Sequence, residues 1–308
     1  MFVSASAAEL NFPNRPIRMI VPQSAGGSTD LAARAITQKL SETLKQNVVV
    51  DNRPGAGSLN GTDIVAIAPP DGHTLLAVAA SFTINPSLHP DLPFDPVRDF
   101  APVTQLADLP HVLVVHPSVP VKSVKELIAL AKAKPDVLNY ASSGIATSTH
   151  LAAELFKYMT GTSMVNVPYK GGAPAIVAML AGQCQVNFAT SSTALAHIKS
   201  EKLRALAVTT AKRSVYIPEL PTIAEAGVPG YSHSSWIGIL APAKTPKAIM
   251  ERLNAELARI VQTPDVKNQL SREGLEPLGN SQNEFANLIK AEVAKWIKLV
   301  KAAGIKAG

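Results

Sequence analysis

IRMIVPQSAGGSTDLAARAITQKL, residues 17 to 40, changes its hydrophobic rhythm halfway along. Ile17 to Val21 is a short, nearly continuous apolar run, the pattern of a strand buried on both faces. From Thr29 the spacing stretches to that of a helix, with Ala32, Ile36, Leu40 and Leu44 on one side. Between them lies a loop rich in Gly, Ser and Thr. The same passage from strand to loop to helix recurs at NYASSGIATSTHLAAELFKYM (139–159) and at MVNVPYKGGAPAIVAMLAG (164–182). A helix start carries unpaired backbone N–H groups and about half a positive charge, so each junction is suited to holding an anion. None of the three has the Lys-Ser/Thr pair of a nucleotide P-loop, which argues against phosphate-transfer chemistry.

Outward from these junctions, short Val/Ile-rich runs alternate with helical patterns. This is the signature of α/β units around a mostly parallel sheet. Strands are expected at 17–22, 47–51, 74–80, 111–116, 138–142, 164–168, 186–190, 204–210 and 234–241. Helices are expected at 29–44, 61–68, 123–133, 148–159, 173–181, 246–262, 264–273 and 281–303. Pro174 at a first helical position and Gly182 just past the end bracket one short helix. Two turn-rich stretches, His89–Pro96 and Ile217–Pro221, interrupt the βα rhythm. They predict an outer domain (9–100 and 218–308) with an inner domain (101–217) inserted into it. Two crossings of this kind form a hinge, and ligands often sit in such an interdomain cleft.

The 308 residues exceed what one compact core usually organises, consistent with two domains. Apolar residues make up 46% and charged residues 17%, ample for cores and far from disorder. Net charge is +6, but no Lys/Arg run is dense enough for a nucleic-acid tract, so nucleic acid is not an expected partner. The single Cys184, in the apolar stretch QCQVNF, excludes an intrachain disulfide, a redox pair or a Cys-type zinc cluster. His73, His89, His111, His116, His197 and His233 show no metal-ligand spacing. No apolar run reaches 18 residues. Ala5-Ser6-Ala7 has the small-x-small form of a signal-peptidase site, and MFVSASAAEL reads as the trimmed end of an export signal.

In the first loop, Gly26 and Gly27 let backbone approach an anion, and Ser28 or Thr29 supplies a hydroxyl or a helix cap. Asp30 would repel a carboxylate if aimed at it, and is expected instead to lie in the first turn, bonded to backbone N–H groups and favoured by the helix dipole. The second loop gathers Ser142, Ser143, Thr147, Ser148 and Thr149. With Thr147 as cap, His150 falls at the third helical position, where it either bonds back to the loop or meets a ligand. Ser143 and His150 as nucleophile and base lack a third orienting group and a G-x-S-x-G elbow. Before Gly171 and Gly172, Tyr169 either closes over a ligand or packs in the core, and Lys170 reads as a surface cation. Ser81, Asn85, Thr190, Ser191 and Trp236 are weaker site candidates at strand ends or in a strand, and Trp236 is equally suited to core packing.

Several motifs together resemble a known family. They are Pro22-Gln23-Ser24-Ala25-Gly26-Gly27-Ser28-Thr29-Asp30, Asn52-Arg53-Pro54-Gly55-Ala56-Gly57, Pro69-Pro70-Asp71-Gly72-His73-Thr74, and Leu92-Pro93-Phe94-Asp95-Pro96 before Asp99-Phe100. Further along come Val167-Pro168-Tyr169-Lys170-Gly171-Gly172, Pro221-Thr222-Ile223-Ala224-Glu225-Ala226-Gly227, and Trp236 ahead of Ala241-Pro242. In this order, from about residue 12 to the C-terminus, they resemble the Bug-type (TctC-like) extracytoplasmic solute-binding proteins of tripartite tricarboxylate transporters. The resemblance implies a type II-like periplasmic-binding-protein fold with mixed, mostly parallel sheets and two domains closing on a small carboxylate. It implies no metal or organic cofactor, and membrane transporter subunits as partners. It places the grip on Ser24, Ala25, Gly26, Gly27, Ser28, Thr29 and Asp30, and on the loop from Ser142 to His150, often with ordered water. The second loop, Ser143-Gly144-Ile145-Ala146-Thr147, is less glycine-rich than is common in the family, and Gln23-Ser24 stands where apolar or proline residues are frequent. Ligand sensing and, more remotely, carboxylate hydrolysis are the alternative functions. Dicarboxylates, tricarboxylates, amino-acid-like acids and aromatic monocarboxylates are all admissible ligands, with few basic residues in the loops favouring one gripped carboxylate.

Overall fold

The computed structural model describes residues 11–89, 91–169 and 171–305. The expected export-signal remnant and Lys170 lie outside the described residues. In chain order the strands are β1 (Ile17–Val21), β2 (Val48–Asn52), β3 (Thr74–Ala79), β4 (Phe100–Val115), β5 (Asn139–Ser142), β6 (Val165–Pro168), β7 (Val186–Thr190), β8 (Arg204–Val208), β9 (Ser234–Pro242) and β10 (Glu276–Pro277). The helices are α1 (Ser28–Leu44), α2 (Leu59–Ala66), α3 (Ser81–Leu88), α4 (Val124–Ala133), α5 (Ser148–Thr160), α6 (Gly172–Leu180), α7 (Ser191–Lys199), α8 (Lys247–Val261), α9 (Pro264–Arg272) and α10 (Gln282–Ala303). No described helix is long and apolar enough to cross a membrane.

The chain forms two compact units. Among the described residues, unit 1 holds those up to Asp108 with Trp236–Ile297, and unit 2 holds those from Leu109 to Ser235 and from Lys298 on. The domain boundaries expected at 100/101 and 217/218 fall inside unit 1 and unit 2 respectively. β4 runs without interruption through the 108/109 boundary. Its first part pairs with β10 (Asp108 opposite Glu276), and its second part with β7 and β8.

In unit 1, β1 is parallel to β2 and to β3, and β9 closes antiparallel on β3, with Ala79 opposite Ile237. Each of β1, β2 and β3 is followed by a helix start, so α1, the short 3-10 turn Ala56–Ser58 leading to α2, and α3 all open at the carboxyl edge of one sheet. α1 buries Ala32, Ile36, Leu40 and Leu44 as its spacing predicts, packing on β2, β3 and α8. Full burial of each such large aliphatic side chain contributes about 1.5–3 kcal/mol.

Unit 2 repeats the scheme. β5 is parallel to β6 and β7, and β4 and β8 add antiparallel strands. α5, α6 and α7 follow β5, β6 and β7. Val112, Val114, Ala141 and Ala189 of its strands pack with Ile176, Met179 and Cys184 in one buried apolar cluster. Cys184 is buried and unbridged, as its apolar neighbours predict.

Several elements differ from the sequence expectation. α3, α7 and β10 are not among the expected elements; Pro86 sits inside α3 and Ser191-Ser192-Thr193 opens α7. The strand expected from 111 begins at Phe100; Pro102, Asp108 and Pro110 break the apolar alternation and hide its first part from the sequence. Pro174 stands third in α6, not first, since Gly171 at φ +113° supplies the N-cap and Gly172 opens the helix.

Candidate functional site

Unit 1 presents the loop Pro22–Gly27 ahead of α1. Ser24, Ala25, Gly26, Gly27 and Ser28 are exposed, and Thr29 and Asp30 are buried. Gly26 has φ +82°, a left-handed conformation open to glycine at little cost. Gly27 is the N-cap at φ −79°, ψ 164°, and no side chain caps the helix. The first-turn N–H groups therefore keep the positive helix end at an exposed surface.

Asp30 sets the shape of this loop. Its carboxylate accepts from the Gly26 N–H at 2.9 Å, from Arg34 Nε at 3.0 and 3.1 Å, and from Asn52 Nδ2 at 3.0 Å. Asn52 also donates to the Gln23 carbonyl at 3.1 Å and accepts from Arg34 Nη2 at 3.1 Å. Burial pushes the Asp30 pKa up, but Arg34, Gly26 and Asn52 together outweigh it and hold the carboxyl below the usual range. Asp30 thus bonds back to the loop as its place in the first turn predicts, and its charge is offset by Arg34. Beneath the loop, a Cβ on Gly61 would stand 2.7–2.8 Å from Pro22 and the Arg53 carbonyl, so only glycine lets α2 approach so closely.

Unit 2 repeats the construction at Ser143–Thr147 ahead of α5. Thr147 is the N-cap at φ −77°, ψ 164°, again without a side-chain cap. Ala146, just before it, has φ +60°. Its N–H donates to His150 Nδ1 at 3.0 Å, as Gly26 does to Asp30. Gly26-Gly27-Ser28-Thr29-Asp30 and Ala146-Thr147-Ser148-Thr149-His150 are thus the same capping turn built twice, the third helical residue holding the loop each time. His150 is buried, which pushes its pKa down; Glu154 pulls it up and Lys157 down again. Because Nδ1 accepts, the ring proton of neutral His150 sits on Nε2, facing Glu154 Oε1 at 3.9 Å. Glu154 is anchored in turn by Tyr140 Oη at 2.6 Å and Lys157 Nζ at 2.7 Å.

The hydroxyls of this loop bond one another. Ser143 Oγ lies 2.7 Å from Thr149 Oγ1 and 3.1 Å from Thr147 Oγ1, and the Ser143 N–H donates to Thr149 Oγ1 at 2.8 Å. Ser142, fully buried, leans on the Gly144 carbonyl at 3.5 Å. Ser143 and His150 therefore engage other partners. At the first turn of α5, Ser148 Oγ meets His233 Nε2 at 2.8 Å.

The remaining candidates divide. Tyr169 is half-buried, packs against the α6 side of the sheet, and has its hydroxyl 3.6 Å from Cys184 Sγ. Tyr169 and Gly171 donate their N–H groups to the Ser142 and Ser143 carbonyls at 2.9 and 3.1 Å, tying the third junction to the second loop. Thr190 caps α7 by position and holds Thr193 Oγ1 at 2.9 Å. Ser191 is wholly buried, donating to the Pro110 carbonyl at 2.9 Å, so its side chain serves the packing of α7 on β4. Ser81 and Asn85 are in α3 and not at a strand end, with Asn85 buried. Trp236 is 1% exposed and edge-on to Phe285 at 5.2 Å, which is the core-packing alternative. Its backbone lies beside the carboxyl end of β3, from which α3 opens.

Arg34, Asn52, Gly61 and His233 also brace these loops, and the sequence analysis did not single them out for it. The repeated Ser-Thr pair at 28–29 and 148–149 was the available signal for the shared turn. Nothing local marks Asn52 or His233, since their partners are remote in sequence. Among the described residues, no cluster of His, Cys, Asp or Glu is arranged for a metal ion.

Two α/β units, each with helices opening at the carboxyl edge of its strands, define the architecture of the periplasmic solute-binding proteins. Residues 32–305 match the tripartite tricarboxylate transporter family receptor, TctC, and the chain belongs to that family. It is 39% identical over 290 residues to a Pseudomonas UPF0065 protein encoded in the tcbD-tcbE intergenic region, covering 94% of this chain and 86% of that one. It is 36% identical over 306 residues to BugT of Bordetella pertussis, covering 99% and 94%. Among solved structures, R. palustris Rpa4515 with adipate has a TM-score of 0.77 at 38% identity, covering 96% of this chain and 99% of that one. A Polaromonas TctC solute-binding protein without ligand reaches 0.88 at 28% identity, covering 94% and 99%. MatC from Rhodopseudomonas palustris with bound malate gives 0.73 at 31% identity, covering 94% and 100%.

Proposed function

We propose that this protein is a periplasmic solute-binding protein that captures a small carboxylate and delivers it to the membrane subunits of a tripartite tricarboxylate-type transporter. The observation that carries this reading is the capping turn built twice, at Gly26–Asp30 and Ala146–His150. Both helix starts lack a side-chain cap and share one backbone conformation. The main-chain donors at Gly27–Thr29 with the Ser28 hydroxyl, and those at Thr147–Thr149 with the Ser148 hydroxyl, are each suited to seating a carboxylate. The adipate and malate held by two family structures support a dicarboxylate of four to six carbons as the ligand. The reading is non-enzymatic, and the pairing of Ser143 with His150 as nucleophile and base is not formed: Ser143 bonds Thr147 and Thr149, and His150 Nδ1 is taken by the Ala146 N–H.

The magnitudes are sufficient. Hydrogen bonds to a charged group contribute roughly 1.5–3 kcal/mol each and a helix end about 0.3–1 kcal/mol. Four or five such contacts, less the association cost, leave about −8 kcal/mol, which is micromolar binding. A thermal-shift screen over C4–C6 dicarboxylates, citrate, acidic amino acids and nicotinate tests it. Ligand at about 100 times Kd adds roughly 2.7 kcal/mol, a rise of a few degrees in Tm. Gly27→Val should abolish the shift while leaving the apo Tm nearly unchanged. A Cβ there meets only the Ser24 carbonyl, at an ordinary 3.5 Å. A panel with no responsive acid, or a variant that keeps the shift, overturns the reading.

A further inference from the structure

One side chain of unit 2 is held in a way that stability does not explain. His111, on β4 opposite Thr190, is 0% exposed, and neither ring nitrogen has a hydrogen-bond partner among the described residues. Burial pushes its pKa down to about 4, outweighing the Leu109 backbone, which acts in the opposite direction, so the ring is neutral. A buried polar group without a well-formed hydrogen bond is destabilising, and an apolar residue of similar size is usually as good or better. The His111 ring lies 5.2 Å from that of His233, at 44°. His233, 1% exposed, is fixed at its backbone by an N–H bond to the Thr209 carbonyl at 2.8 Å. Thr209 itself pairs with His111, main chain to main chain at 2.9 Å and through its hydroxyl to the His111 carbonyl at 3.1 Å. His111 and His233 are therefore held to each other through Thr209 as well as ring to ring. From this assembly His233 Nε2 reaches Ser148 Oγ at the first turn of α5.

We propose that His233, backed by His111, is a positioning residue that presents the Ser148 hydroxyl as a hydrogen-bond donor at the mouth of α5. This rests on the carboxylate reading above. A serine has a single hydroxyl proton. If Ser148 donates it to His233, an arriving carboxylate meets only oxygen lone pairs. If His233 carries its proton on Nε2 and donates to Ser148 Oγ, the serine proton turns outward, beside the free N–H groups of the helix start. An anion site requires the second arrangement. The His111 ring, packed on His233, keeps the imidazole from swinging off Ser148.

The tautomer is read without any ligand, from nitrogen-15 chemical shifts of the His233 ring in the apo protein. Protonation at Nε2 is expected, and at Nδ1 overturns the proposal. Calorimetric Kd values with adipate and malate as probes provide the second test. His233→Leu should weaken binding about tenfold or more, the scale of a lost hydrogen bond to a charged group, and Ser148→Ala should add little on top of it. His233→Gln, which keeps a donor near the Nε2 position, should stay within a few-fold of wild type. His111→Leu should raise the apo Tm and yet weaken binding, opposite signs that a purely structural histidine would not give. Wild-type Kd in His233→Leu, fully additive losses with Ser148→Ala, or His111→Leu that loses stability and keeps affinity would each overturn it. If the wild type binds neither acid nor any of the wider panel, the carboxylate reading fails, while the ring tautomer still decides this one.

Discussion

Asp30 shows how one buried carboxylate can shape the loop proposed to seat an anion while its own charge is bonded away. Its oxygens take up the Gly26 N–H, Arg34 and Asn52, so the loop is pinned and the negative charge is balanced by the adjacent guanidinium. Because its pKa is lowered in the folded protein, Asp30 contributes stability that is fully present above the unfolded value near 3.8. That contribution is lost as pH falls through the lower folded value. Asp30→Asn should therefore cost about 1–3 kcal/mol at pH 7 in urea unfolding, the price of a buried network left partly unpaired. The gap between variant and wild type should narrow as pH falls from 5 towards 3. A constant gap across that range would contradict the assignment of charge to Asp30. His150 does the same geometric work in unit 2 while neutral, so the two turns differ in electrostatics and not in shape.

Helix starts at strand ends were the legible elements. The runs at 17–21, 139–142 and 165–168, and the helices after them, follow directly from periodicity and from Gly, Ser and Thr at the switch. His150 bonding back to the loop was readable from its distance to Thr147. α3, α7 and the first part of β4 were hidden by Pro86, by Ser191-Ser192-Thr193, and by Pro102 with Pro110, where tertiary packing overrides local preference. Trp236 and Ser191 illustrate the other limit, since a polar or aromatic residue near a strand end reads alike whether it faces outward or into a core. Close approach of elements is equally silent in sequence. Gly61 in α2 is one case, because any Cβ would press on the backbone of Pro22 and Arg53. Gly61→Ala should cost about 1–3 kcal/mol in thermal unfolding. It should also weaken carboxylate binding by displacing the base of the first loop. Unchanged Tm would show that α2 can withdraw freely.

For the molecule as a whole, two units of different sequence carry the same strand–turn–helix device, and family membership sets that device among transporter receptors. A net charge of +6 favours anionic ligands weakly and at long range, and salt screens it over about 10 Å. On the proposed reading, short-range main-chain donors supply most of the selectivity. The most direct measurement is isothermal titration calorimetry of the best-binding acid against its methyl ester of equal carbon skeleton, at fixed pH and ionic strength. Micromolar affinity for the acid, with the ester at least a hundredfold weaker, is the result expected when a charge is seated by helix-start N–H groups. Equal affinity for acid and ester would contradict it.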